Sequence, residues 1–355
     1  MKVGMLTSGG DCQGLNAALR GVAKTLFGCV PDIELYGIFD GYSGLIEGDW
    51  RRMEPLEFSG IIRQGGTILG ASRQPFKKMR EVNGDGTDKL SMMLYNYQKG
   101  YFDALVILGG NGTHKTAHLL SKKGVNIVTL PKTIDNDLYG TDLSFGFDSA
   151  VDKATSVIDS IHTTAAAHGR IFVIELMGHK VGWITLCAGI SGGADVILIP
   201  EIPYSIDNVL EVIKTRNKTG KNFSIIAIAE GALTKEESAL SKHDRKNGNS
   251  TAGSRLAKIL SEKLEQDVRM VMPGHFQRGG EPTPTDRLLC SRLGAKAGEL
   301  ICKRQFGCMV ALRGTKIITV PLGDVAGRLN CIPPDSEMLH QAELLGISLG
   351  NKDWR

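Results

Sequence analysis

Short apolar runs recur along this chain. Each is closed by a glycine-rich or polar turn and followed by a stretch whose apolar positions return every three or four residues. Residues 3–6, 33–38, 104–108, 125–130, 171–174, 195–199, 223–228 and 268–272 read as short buried strands. Leu15, Leu19, Val22 and Leu26 fall on one helical face, and so do Val151, Ala154, Ile158 and Ile161 within a helix predicted over 150–162. Strands alternating with helices predict an α/β, doubly wound architecture. Residues 234–254 break the alternation. They are polar and charged, include Lys242-His243-Asp244-Arg245-Lys246-Asn247-Gly248-Asn249, and read as a surface loop. No internal repeat or low-complexity segment is visible.

Composition narrows the functional classes. A chain of 355 residues buries one large core or two lobes. Its 42% hydrophobic content and mean hydropathy of -0.07 are those of a water-soluble protein. The 44 glycines gather at strand-to-helix junctions, which favours phosphate loops over a linker. Lysine plus arginine total 42 against 38 acidic residues, a net charge of +4, and the arginines are scattered. This is no nucleic-acid footprint, whereas a few focused cations suffice for an anionic small substrate. Seven cysteines without a CxxC pair favour reduced thiols and a cytoplasmic location. No apolar stretch is long enough for a membrane span, and the first residues read as a strand rather than a signal peptide.

Two loops carry the candidate chemistry. Gly109-Gly110-Asn111-Gly112-Thr113 follows the run at 104–108, and Pro131-Lys132-Thr133-Ile134-Asp135-Asn136-Asp137 follows the run at 125–130. Both lie at strand C-terminal ends, where open α/β sheets bind ligands. The first offers backbone N–H groups unobstructed by Cβ atoms, which suits a phosphate. The second sets carboxylates beside a hydroxyl and a lysine, which suits deprotonation of an alcohol near a metal or phosphate. A third loop, at residues 9–14, has Walker A glycine spacing but ends in Leu15-Asn16 and fails the Rossmann pattern. It still turns a strand into a helix N-terminus, an anion-binding position.

With these loops the chain resembles the phosphofructokinase family. The resemblance spans nearly the whole chain. It runs through Thr7-Ser8-Gly9-Gly10-Asp11-Cys12-Gln13-Gly14-Leu15-Asn16, then Gly66-Thr67-Ile68-Leu69-Gly70-Ala71-Ser72-Arg73 and the two loops. It continues at Glu175-Leu176-Met177-Gly178 and Pro273-Gly274-His275-Phe276-Gln277-Arg278-Gly279-Gly280. It implies two similar doubly wound lobes with the active site in the cleft between them. The donor-binding lobe would comprise residues 1–146 plus 277–327, and the sugar-phosphate-binding lobe 147–276 plus 328–355. It further implies transfer of the terminal phosphoryl group of ATP to the 1-hydroxyl of fructose 6-phosphate, with Mg2+.

Carried over residue by residue, the resemblance makes Asp135 the general base, with Thr133, Arg73 and Arg170 assisting catalysis. Gly10, Arg73, Gln74, Gly110, Asn111, Gly112, Thr113 and Lys132 would bind the donor. Thr133, Asp135, Arg170, Met177, Gly178, His179, Glu230, Arg269, His275, Phe276, Gln277 and Arg278 would bind the sugar phosphate. Arg170 and Arg269 would come from a neighbouring subunit, so the protein would self-associate as a tetramer or dimer. Asn111, Asp135 and Asp137 are the candidate metal ligands.

Three positions bear on the donor and the rate. In the resembled family glycine at the position of Gly112 goes with ATP and aspartate with pyrophosphate, because a carboxylate there would crowd and repel the α-phosphate. Lys132 accompanies pyrophosphate, the alternative donor, but adds only a cation. Asn111 and His179 stand where the family commonly has aspartate and arginine, which leaves open a weakly active, sugar-phosphate-binding regulatory paralogue. Arg20, Lys24 and His162 match the bacterial effector site only in part, so no effector is predicted.

Overall fold

The computed structural model describes residues 1–82, 86–241 and 250–352. Its strands are β1 (Lys2–Thr7), β2 (Glu34–Ile38), β3 (Trp50–Met53), β4 (Ala104–Gly109), β5 (Ile127–Pro131), β6 (Ile171–Leu176), β7 (Val196–Leu198), β8 (Ser224–Ala229), β9 (Val268–Val271), β10 (Cys308–Arg313) and β11 (Lys316–Pro321). The chain divides into two compact units. Met1–Ser149 with Arg278–Asn330 forms the first, and Ala150–Gln277 with Cys331–Arg355 the second.

The first unit is built on a seven-stranded sheet of order β11-β10-β5-β4-β1-β2-β3. Its five inner strands are parallel, while β3 and β11 are antiparallel edges. Every residue of β4 and β5 is buried, which is why both appear as unbroken apolar runs. On one face Leu6, Ile38, Leu105, Ile107 and Ile127 pack against Tyr42, Leu45, Met93 and Leu120 from the covering helices. Each such side chain contributes roughly 1.5–3 kcal/mol by leaving water. Strand order reverses between β1 and β4: β1 leads outward to β2, and β4 leads the other way to β5. The loops after β1 and β4 therefore flank a topological switch point, where the splayed chain leaves room for a ligand.

The second unit has a parallel four-stranded sheet of order β7-β8-β6-β9. Ile171, Val173, Val196 and Ile226 pack on Val209, Ile213, Leu256 and Leu260. The helix expected over 150–162 runs from Phe147 to His168, with Ala154 and Ile158 fully buried. Among the described residues no helix is long and apolar enough to cross a membrane, and all seven cysteines are free thiols.

The segment 234–254 differs from the expected loop. Residues 242–249 lie outside the described residues, but Lys235–Ala239 is helical and Ala252–Lys263 starts a second helix inside the segment. The reason is a capping box: the Thr234 hydroxyl accepts from the Glu237 N–H, and the Glu237 carboxylate accepts from the Thr234 N–H.

Candidate active site

The loop after β1 is fixed first by its main chain. Ser8 N–H donates to Leu108 O at 2.9 Å, and Gly9 N–H donates to Ser72 O at 2.9 Å. The second bond draws residues 66–73 against the loop and brings Arg73 with them. A Cβ built on Gly10 would lie 3.2 Å from Arg278 Nη1 and 3.3 Å from Arg73 Nη2. A Cβ on Gly9 would lie 3.3 Å from Lys132 Nζ. Three cations from three segments thus converge on Gly9-Gly10. Arg278 Nη1 donates to Asp11 O at 3.0 Å, and Lys132 Nζ donates to Gly10 O. Burial lowers the Lys132 pKa, with the Arg278 charge acting in the same direction. Beside them Cys12 is pushed up to about 12, chiefly by burial, and stays a thiol. Cations gathered on carbonyl dipoles form a receptor for a polyanion.

The loop after β4 opens the helix Asn111–Ser121, with Gly110 at its N-cap. A Cβ on Gly109 would collide with Thr113 at 2.3 Å, so glycine is required there. At Gly112 a Cβ would meet nothing within 4 Å, which leaves the first helical turn open. Its N–H groups and the helix dipole favour a phosphate at this end. Asn111 Nδ2 donates to Arg328 O at 2.7 Å, while Asn111 Oδ1 is buried without a hydrogen-bond partner. The Arg328 guanidinium lies 3.5 Å from the Tyr139 ring centre.

His114, one turn further on, is wholly buried, and its Nδ1 lies 2.9 Å from Gly110 O. Burial lowers its pKa to about 4; the Gly110 bond opposes this and the Lys132 charge adds to it. Between about pH 6.5 and 4 the unfolded chain therefore binds more protons here than the folded one, and stability falls as pH drops through that window. In urea melts from pH 7 to 4, wild type should lose on the order of 3 kcal/mol more than His114→Asn, whose amide also donates to Gly110. Parallel curves for the two proteins would contradict this.

The loop after β5 is held by main-chain and side-chain hydrogen bonds. Lys132 N–H donates to Gly109 O at 3.0 Å. Asp135 N–H donates to Thr133 Oγ1 at 3.1 Å, and Ser144 Oγ donates to Thr133 O at 2.7 Å. Asn136 has φ 54°, a left-handed conformation that asparagine tolerates. Its side chain donates to Asp142 O at 3.1 Å and accepts from Ser144 N–H at 2.8 Å. Asn330 N–H donates to Asp137 O and Asn330 Nδ2 to Asn136 O, at 2.9 and 3.0 Å. In the Asp-Asn-Asp triplet, Asn136 shapes the turn between Asp135 and Asp137.

Other expected residues fall into separate places. Gln74 spends its amide locally, donating to Ser43 Oγ at 2.8 Å and accepting from Lys89 Nζ at 2.7 Å. Arg278, expected with the sugar residues, belongs to the first unit and donates to Asp11 O in the loop after β1. In the second unit Arg170 and Arg269 share one carboxylate oxygen of Asp267, at 2.8 and 2.9 Å. Glu230 Oε1 accepts from Gly178 N–H at 3.3 Å and His179 N–H at 2.7 Å, which joins three expected residues. Met177 is half-buried, His275 and Phe276 are exposed, and Gln277 is buried. The sequence reading missed Arg328 and Asn330, which act through main-chain and amide groups, and Glu201, which resembles a strand-end surface charge. The Thr-Lys-Glu-Glu run at 234–237 is the sequence signal for that cap.

A glycine loop ringed by cations, beside an open helix N-terminus at a sheet's switch point, defines an α/β protein that binds phosphate chains. The phosphofructokinase family model matches residues 2–301, and the chain belongs to that family. It is 49% identical to an ATP-dependent 6-phosphofructokinase of Spirochaeta thermophila, over 98% of this chain and 97% of that protein. The Pichia pastoris phosphofructokinase crystal structure in the T-state is similar at TM-score 0.80 and 30% identity, covering 91% of this chain but only 35% of that longer one. A pyrophosphate-dependent phosphofructokinase from Marinobacter aquaeolei shares the fold at TM-score 0.82 and 20% identity, with 98% and 88% of the two chains covered.

Proposed function

We propose that this protein transfers the terminal phosphoryl group of ATP to the 1-hydroxyl of fructose 6-phosphate, giving fructose 1,6-bisphosphate. The observation that carries the reading is the convergence of Arg73, Lys132 and Arg278 on Gly9-Gly10. Delocalised guanidinium charge at that point stabilises a phosphoryl group in transfer. Asp135 takes the proton from the attacking hydroxyl, and Thr133 orients the group being transferred. Arg170 and Arg269, reaching a neighbouring subunit's substrate, bind the sugar's phosphate with His275 and Arg278. Met177, Gly178, His179, Glu230, Phe276 and Gln277 surround the sugar. Gly10, Gln74, Gly110, Gly112 and Thr113 take the donor. This assigns the protein to glycolysis in the cytoplasm, as a tetramer or dimer.

ATP is favoured over pyrophosphate by the open space at Gly112 and by the name of the 49%-identical relative. Lys132 favours pyrophosphate less, because its ammonium already braces Gly10 O. Among the described residues no three His, Cys, Asp or Glu side chains cluster as a metal cage. That fits Mg2+, which binds one or two carboxylates plus substrate phosphates and water. The buried, unpartnered Asn111 Oδ1 adds a neutral oxygen. Asp135 and Asp137, with Asn111, would hold the ion, which neutralises charge on the phosphate chain.

The test is a coupled assay for fructose 1,6-bisphosphate with ATP, fructose 6-phosphate and Mg2+. Steady turnover supports the reading, and its absence refutes it. Asn111→Asp separates it from a regulatory paralogue. Aspartate would oppose a carboxylate to Arg328 O where Asn111 now donates at 2.7 Å. Turnover should therefore stay level or fall by up to about tenfold, at the cost of one hydrogen bond, roughly 1 kcal/mol. A gain of a hundredfold would instead mark an enzyme disabled at that position.

A further inference from the structure

In the second unit the segment 177–182, Met-Gly-His-Lys-Val-Gly, leaves the C-terminal end of β6 as a tight turn closed by Val181 N–H donating to Gly178 O at 3.0 Å. His179 sits in it at φ 53° and is exposed. A non-glycine residue in that conformation persists only when its surroundings hold it. Glu230, just beyond β8, holds one end through the Gly178 and His179 N–H groups. The other end is held by a residue with no assigned role. Glu201 lies just beyond β7, and its Oε1 accepts from Gly182 N–H at 3.1 Å. The same oxygen accepts from Ile332 N–H, also at 3.1 Å, in the stretch where the chain re-enters this unit.

The fit around Glu201 is close. Its Oε2 is buried with no partner and lies 3.0 Å from where a Cβ on Gly182 would be. The same Cβ would be 2.4 Å from the Ile199 side chain, so only glycine lets the turn approach. Gly182 also begins the helix Trp183–Ser191, whose N-terminal dipole favours a carboxylate. Two strand-end carboxylates on neighbouring strands therefore clamp one short turn by its backbone.

We infer that Glu201 is a positioning residue for the sugar-phosphate loop: it fixes residues 177–182 in the conformation that receives the sugar and ties that conformation to the C-terminal segment at Ile332. The inference rests on the proposed activity for its kinetic readout and on geometry alone for its structural one. Without Glu201, the Gly182 and Ile332 N–H groups lose their acceptor and the strained His179 turn keeps only its Glu230 anchor.

The experiment compares Glu201→Ala, Glu201→Asp and Glu201→Gln with wild type. In Glu201→Ala the KM for fructose 6-phosphate should rise about tenfold or more, with the KM for ATP within twofold. Glu201→Asp, one methylene short of the two amides, should rise by an intermediate factor, and it carries the test should the alanine variant not fold. Glu201→Gln keeps a carbonyl acceptor and should stay within about threefold. An unchanged sugar KM in the folded variants, or equal rises for both substrates, overturns the inference. Should wild type not turn over, the proposed activity fails, and hydrogen exchange then reads the inference alone. Amides of 178–182 and of Ile332 should exchange about tenfold faster in Glu201→Ala or Glu201→Asp, and unchanged exchange overturns it.

Discussion

Asp135→Asn should lower kcat by about a thousandfold while the KM for fructose 6-phosphate stays within about threefold. Removal of a general base costs roughly two to four orders of magnitude, and a thousandfold corresponds to about 4 kcal/mol of barrier. The loss should be chemical because the main-chain and amide bonds that shape the loop survive the substitution. The Asp135 N–H bond to Thr133 Oγ1 is a main-chain bond and survives the substitution. The left-handed turn is held by the Asn136 side chain and by Asn330. Steady-state kinetics with a thermal melt as control checks this. A fall of less than tenfold would move the base to Asp137, and a matching collapse in melting temperature would mean the loop had failed.

Gly112→Asp should lower kcat/KM for ATP by about a thousandfold and leave folding intact. The position is the second residue of a helix and has open space around it, so a side chain is accommodated. A carboxylate in the first turn is even favourable to the helix by about 0.3–1 kcal/mol. The loss would come from charge. A carboxylate about 4 Å from a phosphate oxygen, at an effective dielectric near 20, repels it by about 4 kcal/mol. Pyrophosphate, with no third phosphate to place there, should be spared, so the ratio of the two donors' kcat/KM should shift by more than a hundredfold. Equal effects on both donors would show that position 112 does not read the nucleotide.

The sequence discloses those parts of the molecule that rest on side-chain pattern. The inner strands β1, β4 and β5 are visible because burial on both faces demands continuous apolar residues, and the strands' ends then locate the loops. The edge strands β3 and β11 are harder to see. Trp50-Arg51-Arg52-Met53 is half exposed and pairs on one side only, so its pattern is that of a surface turn. The candidate site divides in the same way. Asp135, Thr133 and the glycines sit in contiguous motifs. Some contacts that hold their loops come from about 200 residues away through groups every residue has, such as Arg328 O on Asn111 and the Asn330 N–H on Asp137 O. Glu201 is invisible for a related reason, since its partners are two backbone amides on segments separated widely in the chain. The placement of Arg278 against Gly10 likewise depends on where the chain re-enters the first unit, which periodicity does not encode.

Transfer of the terminal phosphoryl group from ATP to the sugar's 1-hydroxyl can be followed directly by phosphorus NMR. Purified protein would be mixed with ATP, fructose 6-phosphate and Mg2+, and the γ-phosphate resonance tracked against time. The γ resonance should decay as ADP and a new C1-phosphate resonance of fructose 1,6-bisphosphate grow in equal amounts. Decay of ATP to free phosphate, or a C1-phosphate that forms with pyrophosphate and not with ATP, would contradict it.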